Sequence, residues 1–317
     1  MKVPGGSTLH AGGAPLAARP GVLVLAAFAV LVVFGGSNAI GVRFVLREMG
    51  PFWSAAIRFA IAGGLLAALV MASGRSFPRG ERLLGSALFG IIGFGLAYLF
   101  LYEALRDAPA GTTMVILSIV PLLTSILASA QGVERLRRLG LAGAAIASLG
   151  IVVVVADQVR LDVPAIALVL LVAAAVCQAE SGIVVKRFPP GDPVAANAVG
   201  MVLGAVMLAV VAIATGETLV VPLLPETWLA MAYLIGPGSI AVFLLVLFIL
   251  ARWTASATSY AFLLFPLVAI VFGGLLLGET VQPSFVAGGA IVLTGVYLGA
   301  VYRRPGREPV PVRVPEP

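Results

Sequence analysis

Ten apolar stretches of 18 residues or more fill nearly the whole chain, at 21–41, 52–72, 83–105, 109–130, 139–156, 163–185, 194–214, 227–250, 255–277 and 284–302. Each is long enough to cross a hydrocarbon layer about 30 Å thick. A backbone N–H or C=O left unpaired in lipid costs several kcal/mol, and a helix pairs its own, so every stretch reads as a transmembrane helix. The expected fold class is an all-α integral membrane protein with ten transmembrane helices. Composition agrees: 61% of the 317 residues are hydrophobic and 11% are charged, where soluble domains carry about 25% charge. That excludes a soluble enzyme, a nucleic-acid binder and a disordered scaffold.

The run at 21–41 follows Lys2 and Arg19 as a secretory leader would, but it exceeds the usual h-region and further spans follow it. It reads as a retained first helix. Residues 1–20 and 303–317, rich in Gly, Pro and Arg, read as disordered tails. Orientation follows from the basic residues. Arg75, Arg79 and Arg82, then Arg135, Arg137 and Arg138, then Lys186 and Arg187, and finally Arg303, Arg304 and Arg307 all fall on the N-terminal side of the membrane. The other side holds only Arg43, Arg47, Arg106 and Arg160. The bias places both tails in the cytoplasm and accounts for the net charge of +6 without an acidic partner.

Displacing the chain by 145 residues against itself lays Ala110 on Ala255, Pro121 on Pro266, Glu134 on Glu279, Gly143 on Gly288 and Gly150 on Gly295. Gly93 then meets Gly238, beside Gly236 and Pro237. A displacement of 142 lays Pro51 on Pro193 and Asn38 on Glu180. The chain reads as two five-helix repeats, 21–156 and 157–302, and an odd number of spans per half turns the second upside down. Inverted repeats are a recurrent plan for secondary transporters, with substrate bound near the midplane between the halves.

The residues that carry a family likeness are Phe34-Gly35-Gly36-Ser37-Asn38 followed by Pro51, then Ile57-Arg58-Phe59, then Ala104-Leu105-Arg106-Asp107-Ala108-Pro109-Ala110-Gly111 leading to Pro121 and Gly132-Val133-Glu134. The second half repeats the pattern in Pro266, Leu277-Gly278-Glu279 and Gly295-Val296-Tyr297-Leu298. In order and spacing, over about residues 21–302, this resembles EamA-type members of the drug/metabolite transporter superfamily. Two positions depart from the family pattern: Val133 is an insertion between Gly132 and Glu134, and Glu180 stands where a small or apolar residue is usual. The resemblance implies a ten-helix inner-membrane carrier for small metabolites, commonly an exporter of amino acids or related compounds.

Arg58, Glu103 and Glu180 are the ionisable residues well inside spans, and each costs roughly 2.5–3.5 kcal/mol to insert, which makes each a functional candidate. Arg58 and Glu103 lie at similar depth. Either they pair across the second and third spans, or Arg58 snorkels to the outer headgroups while Glu103 stays interfacial. Desolvation favours the neutral form of Glu180, which suits a proton-coupled carrier; the bland reading is a carboxylate in a wet cytoplasmic vestibule. Ser37, Asn38 and Gln178 either line a cavity or join helices. Pro121 and Pro266 remove backbone hydrogen bonds mid-span, and Gly90, Gly93, Gly95, Gly236, Pro237 and Gly238 loosen the third and eighth spans. Such breakers point to the cavity or serve as packing kinks. Tyr98 and Tyr102 share one face of the third span and, with Tyr260, are the aromatics expected at the cavity. Glu134 and Glu279 are expected to cap helix N-termini.

The expected activity is a secondary carrier that moves a small, amino-acid-like organic metabolite outward by alternating access, with proton coupling open. The alternatives are a passive facilitator of the same fold and, from another class, a membrane-embedded transferase. The lone Cys177 and the lone His10 leave no thiolate or histidine cluster for metal chemistry. No cofactor, no enzyme activity and no nucleic-acid partner are expected; the partners are the substrate, membrane lipid and, if coupled, protons.

Overall fold

The structure, a computed structural model, describes residues 20–156, 159, 162–278 and 282–302. Glu279 and nearly all of both expected tails lie outside the described residues. Among the described residues all regular structure is helical. The helices are α1 (Val22–Val45), α2 (Pro51–Ala72), α3 (Glu81–Ala104), α4 (Ala110–Ala130), α5 (Arg138–Val154), α6 (Ala165–Arg187), α7 (Pro193–Ala214), α8 (Pro225–Leu250), α9 (Ala255–Leu276) and α10 (Pro283–Val301). Nine of these are long and apolar enough to span a membrane, and α5, with 17 residues, is the shorter exception. The expected stretch 139–156 is cut back at its far end, where the helix stops at Val154.

These helices are apolar all round, so size rather than polarity decides which face turns inward. On α7 Ala198, Met201, Ala205, Leu208 and Ala212, none of them β-branched, are buried. On the opposite face Val202, Val206, Val210 and Ile213 are 40–64% exposed. An outer surface of bulky aliphatic side chains around an interior of small ones is that of an integral membrane protein, which needs close backbone approach inside and has no water to avoid outside.

Helices α2 and α7 lie side by side and run antiparallel. At one end the Phe52 and Trp53 amides donate to the Glu217 carboxylate at 3.2 and 2.8 Å. At the other end Arg75 pairs with Asp192 at 3.1 Å. Helices α5 and α10 are antiparallel too: Arg137 donates to the Tyr302 carbonyl at 3.2 Å, while Val154 lies against Gly288. Gly295 and Gly299 are spent on this contact, against Ala147 and Gly143. The remaining contacts come in matched sets: α1 packs on α8 and α9 as α6 packs on α3 and α4, and α3 packs on α7 as α8 packs on α2.

Three helix N-termini are capped by carboxylates from elsewhere in the chain. Glu217 serves α2 as above. Glu134 accepts from the Ala255 amide at 2.5 Å and from Ser256, at the start of α9. Its expected capping role is met, on a helix distant in sequence. Glu48 accepts from the Leu223 and Leu224 amides ahead of α8 at 3.0 and 3.2 Å. Hydrogen bonds from the Thr227 hydroxyl and then from Leu223 hold the Glu48 carboxyl below the ordinary glutamate range.

A Cβ at position 143 would stand 2.5 Å from the Gly299 Cα, whereas one at position 64 would meet nothing within 4 Å. Gly143→Ala is therefore expected to cost about 1–3 kcal/mol by overpacking, and Gly64→Ala to be neutral or stabilising through helix propensity. Thermal unfolding of the two variants in detergent checks the contrast. A second expectation concerns acid. A depressed folded-state pKa gives stability that is present above the unfolded value and lost as pH falls through the folded one. The melting-temperature gap between wild type and Glu48→Gln should therefore be open near neutral pH and close as acidification passes below the ordinary glutamate range, about pH 4.

Candidate functional site

Helices α3 and α8 each widen into a π-helical turn, at Ile91–Leu96 and Gly236–Ala241, and the two turns start and end 145 residues apart. This is the displacement that laid Gly93 on Gly238. A π turn leaves carbonyls out of the regular ladder and is frequent at functional sites. In α8 one of these carbonyls is taken by a neighbour: the Asn38 amide donates to the Gly238 carbonyl at 2.9 Å. Any side chain at Gly238 would occupy the place of the Asn38 Oδ1. That oxygen is buried and unpartnered. At the adjacent residue of α1, the Ser37 hydroxyl shares a 2.5 Å hydrogen bond with the Tyr233 hydroxyl, which also reaches the Phe34 carbonyl. In the other half Ser181, rather than Glu180, lies against Gly93. The counterpart of Asn38 is thus Ser181, one residue further on than expected.

Helix α4 breaks at Ser118–Ile119, so Pro121 sits in the first turn of a new helical segment, where its missing N–H costs nothing. The Ser118 carbonyl at the break accepts from the Ser148 hydroxyl of α5 at 2.9 Å. Helix α9 breaks earlier, at Ser259–Tyr260, and Pro266 lies within a continuous helical segment. Both prolines are buried. The breaks therefore do not coincide with the matched prolines. In α9 the first turn is fixed separately, by Glu134 and by the Thr254 side chain, which accepts from the Ala257 amide at 3.1 Å.

The expected pair of Arg58 and Glu103 does not form. Arg58 donates to the Tyr98 hydroxyl at 2.9 Å, and Glu103 pairs with Arg106 at 3.1 Å. The reason is local: Arg106 is one helical turn from Glu103 at the exposed end of α3, while Arg58 faces inward and is 2% exposed. Burial equally removes the snorkelling alternative. The guanidinium lies over Phe59 and Tyr98, 4.5 and 5.4 Å from the ring centroids. Tyr102 stacks edge-on against Tyr98 at 5.6 Å and is buried against Phe52, so it supports Tyr98 from behind.

Glu180 is half-buried and held by a residue the sequence reading overlooked. The Gln131 side-chain amide donates to both of its oxygens, at 2.7 and 2.9 Å, and the Gln131 carbonyl oxygen accepts from Arg187 at 3.4 Å. Nearby Gln178 offers its backbone carbonyl to the Ser181 hydroxyl. Tyr260 is withdrawn from any cavity: it is 1% exposed and its hydroxyl donates to the Gly140 carbonyl at 2.6 Å. Tyr233, Gln131 and the fully buried Asn197, which donates to the Phe243 carbonyl at 3.2 Å, were legible only as isolated polar residues in apolar runs.

A recess of about 290 Å³ opens among α3, α6, α7 and α8, walled by Ser86, Phe89, Lys186, Phe188, Ala196 and Leu247. It adjoins a wider one of about 760 Å³ between Arg75–Arg82 and Pro189–Asp192. From Phe89 a column of edge-on rings runs inward: Phe89 to Phe94 at 5.2 Å, Phe94 to Phe59 at 5.0 Å, Phe59 to Tyr98 at 5.0 Å, with Phe243 against Phe94 at 4.4 Å. Among the described residues no cluster of His, Cys, Asp and Glu is suited to a metal.

A lipid-facing helical bundle whose interrupted helices turn polar side chains inward is the architecture of a membrane transporter. Comparison with known proteins gives that class a family. The chain belongs to the EamA-like transporter family, which matches residues 21–156 and again 165–300. An "Uncharacterized transporter" of Archaeoglobus fulgidus is 28% identical over 282 residues, covering 85% of this chain and 96% of that one. The "Uncharacterized inner membrane transporter YedA" of Escherichia coli K12 is 28% identical, covering 86% and 88%. A "Probable amino-acid metabolite efflux pump" of Salmonella typhimurium is 26% identical, covering 85% and 92%. A crystal structure shares the fold with a TM-score of 0.74 at 21% identity, over 87% of this chain and 97% of that one. The likeness read from the motifs is thus borne out at family level, and family and relatives alike indicate a transporter rather than an enzyme.

With its hydroxyl spent on Gly140, Tyr260 is expected to serve stability. Tyr260→Phe should lower stability by about 1 kcal/mol, measured by thermal unfolding, and leave the range of transported solutes unchanged.

Proposed function

We propose that this protein is a secondary carrier that moves a small, amino-acid-like organic metabolite outward across the inner membrane. It works by alternating access between two inverted five-helix halves, α1–α5 and α6–α10, with α5 counted as a short tenth span. The observation that carries this reading is the pair of π-helical turns at repeat-equivalent places in α3 and α8, each facing a helix of the other half's equivalent set. The antiparallel pairing of α2 with α7 and of α5 with α10 supports the inversion, because repeat-equivalent helices that lie antiparallel are related by an axis in the membrane plane. The name of the Salmonella relative supports an amino-acid metabolite as cargo and efflux as direction. Both termini are cytoplasmic in this reading, and the recess between Arg75–Arg82 and Pro189–Asp192 opens to the cytoplasm.

Glu180 is the proposed coupling site. Its carboxylate is half-buried and bound by a neutral amide, with the Arg187 charge reaching it only through Gln131. Protonation removes the charge that holds Gln131 and loosens α4 from α6. Reconstituted vesicles loaded with a panel of radiolabelled amino acids test the reading. An imposed pH gradient should drive flux of a subset, a protonophore should abolish accumulation, and Glu180→Gln should retain exchange while losing the response to the gradient. Flux indifferent to protonophore would make the protein a passive facilitator; a gradient response unchanged in Glu180→Gln would remove Glu180 as the coupling site.

A further inference from the structure

Arg58 is a full positive charge, 2% exposed, and no ion pair among the described residues includes it. The Glu103 and Glu217 carboxylates are engaged elsewhere: Glu103 by Arg106, and Glu217 by the Phe52 and Trp53 amides. Of its five N–H donors, one Nη group meets the Tyr98 hydroxyl, and the buried Nε has no partner. The faces of Phe59 and Tyr98 offer it only the weak attraction of ring quadrupoles. A buried guanidinium in this condition lacks a counter-charge and leaves its Nε without an acceptor, and a bound anion brings both. The surroundings also describe the rest of that anion. Two rings, Phe94 and Phe59, stand between Arg58 and Phe89 at the wall of the 290 Å³ recess, and Phe243 lies across them.

We propose that Arg58, with the Tyr98 hydroxyl beside it, is the subsite for the cargo's carboxylate, and that the class carried is organic carboxylates with an aromatic or apolar body. The inference rests on the carrier reading and narrows it. A planar guanidinium fork matches a carboxylate in a bidentate pair. A single cation among aromatic rings balances a monoanion and leaves a phosphate dianion with uncompensated charge. Glu103 is taken by Arg106 and Glu217 by backbone amides, so neither is free to receive an ammonium group, and the carboxylate, rather than the amino group, is what is recognised.

The full-length protein in detergent, probed by thermal unfolding, separates these features. The probes are phenylacetate, 3-phenylpropionate and L-phenylalanine, each beside its amide. The acids should raise the melting temperature and the amides should not. Arg58→Gln should abolish the response to acids, and Arg58→Lys should need at least tenfold more ligand for the same shift. Amides that stabilise as well as acids, no response to any acid, or an undiminished acid response in Arg58→Gln would each overturn the proposal. Should Arg58→Gln fail to fold, the acid-against-amide contrast in wild type and a weakened acid response in Tyr98→Phe decide in its place. Flux in reconstituted vesicles keeps the two readings apart. Acid-selective binding without flux of any solute would sink the carrier reading and leave the anchor, whereas flux indifferent to acid or amide would sink the anchor and leave the carrier.

Discussion

The interior of a bilayer supplies no water to an unpaired backbone group, and the rest of the structure depends on how this chain meets that condition. Regular helix meets it without help. The informative places are those where the helix is not regular, and at two of them a side chain supplies the substitute partner. The Gly238 carbonyl in the π turn of α8 takes the Asn38 amide, and the Ser118 carbonyl at the α4 break takes the Ser148 hydroxyl. At the membrane faces the N-terminal amides of α2, α8 and α9 receive Glu217, Glu48 and Glu134. In each of those three caps the acceptor belongs to the half of the chain, before or after residue 157, that does not contain the capped helix. The unmet amides at these three helix ends are thus answered by the other half, and nearer the middle the halves are joined by packing together with the Asn38 and Ser37 hydrogen bonds to α8.

That division sets what is legible in the sequence and what is not. Breakers and caps are conspicuous in an apolar chain, so Gly93, Gly238, Pro121 and Glu134 identify irregular or terminal positions at sight. The direction in which a residue points is another matter. A helix that is apolar on every side does not announce its rotation about its own axis, and rotation decides partners. Arg58 and Glu103 have similar depth, yet one faces inward to Tyr98 and the other sits at a helix end beside Arg106. Tyr260 was expected at a cavity because it lies early in an interrupted helix. It turns instead to the seam where α5 meets α10, and there the bare Gly299 leaves room for its ring. Gln131 shows in the sequence only as a polar residue, since its role comes from α6 lying against the end of α4.

Register is a finer limit of the same kind. A displacement of 142 aligned Asn38 with Glu180, but the residue that faces Gly93 as Asn38 faces Gly238 is Ser181. One residue on a helix is about 100° of rotation, enough to exchange an inward hydroxyl for a carboxylate directed at Gln131. Repeats that have diverged this far keep their architecture and lose their residue-by-residue correspondence.

In the carrier proposed above, the loss of correspondence has an energetic consequence. Two identical inverted halves would make the inward-facing and outward-facing arrangements equal in energy and would duplicate every polar group across the axis. Here the equivalents differ. The α1–α8 contact carries a side-chain amide on a π-turn carbonyl and a pair of hydroxyls, Ser37 and Tyr233, whereas in the α6–α3 contact the Ser181 hydroxyl is turned back onto its own helix at the Gln178 carbonyl. In the proposed cycle, opening the first contact would break hydrogen bonds between helices, whereas Ser181 makes none across the second. An asymmetry of that kind makes one contact the firmer latch, and a solute that supplies replacement partners to Asn38, Ser37 or Tyr233 lowers the cost of releasing it. Under the proposed alternating-access reading, solute binding would bias the rocking of the halves through the hydrogen bonds it substitutes, as any two-state equilibrium requires of a ligand that shifts it.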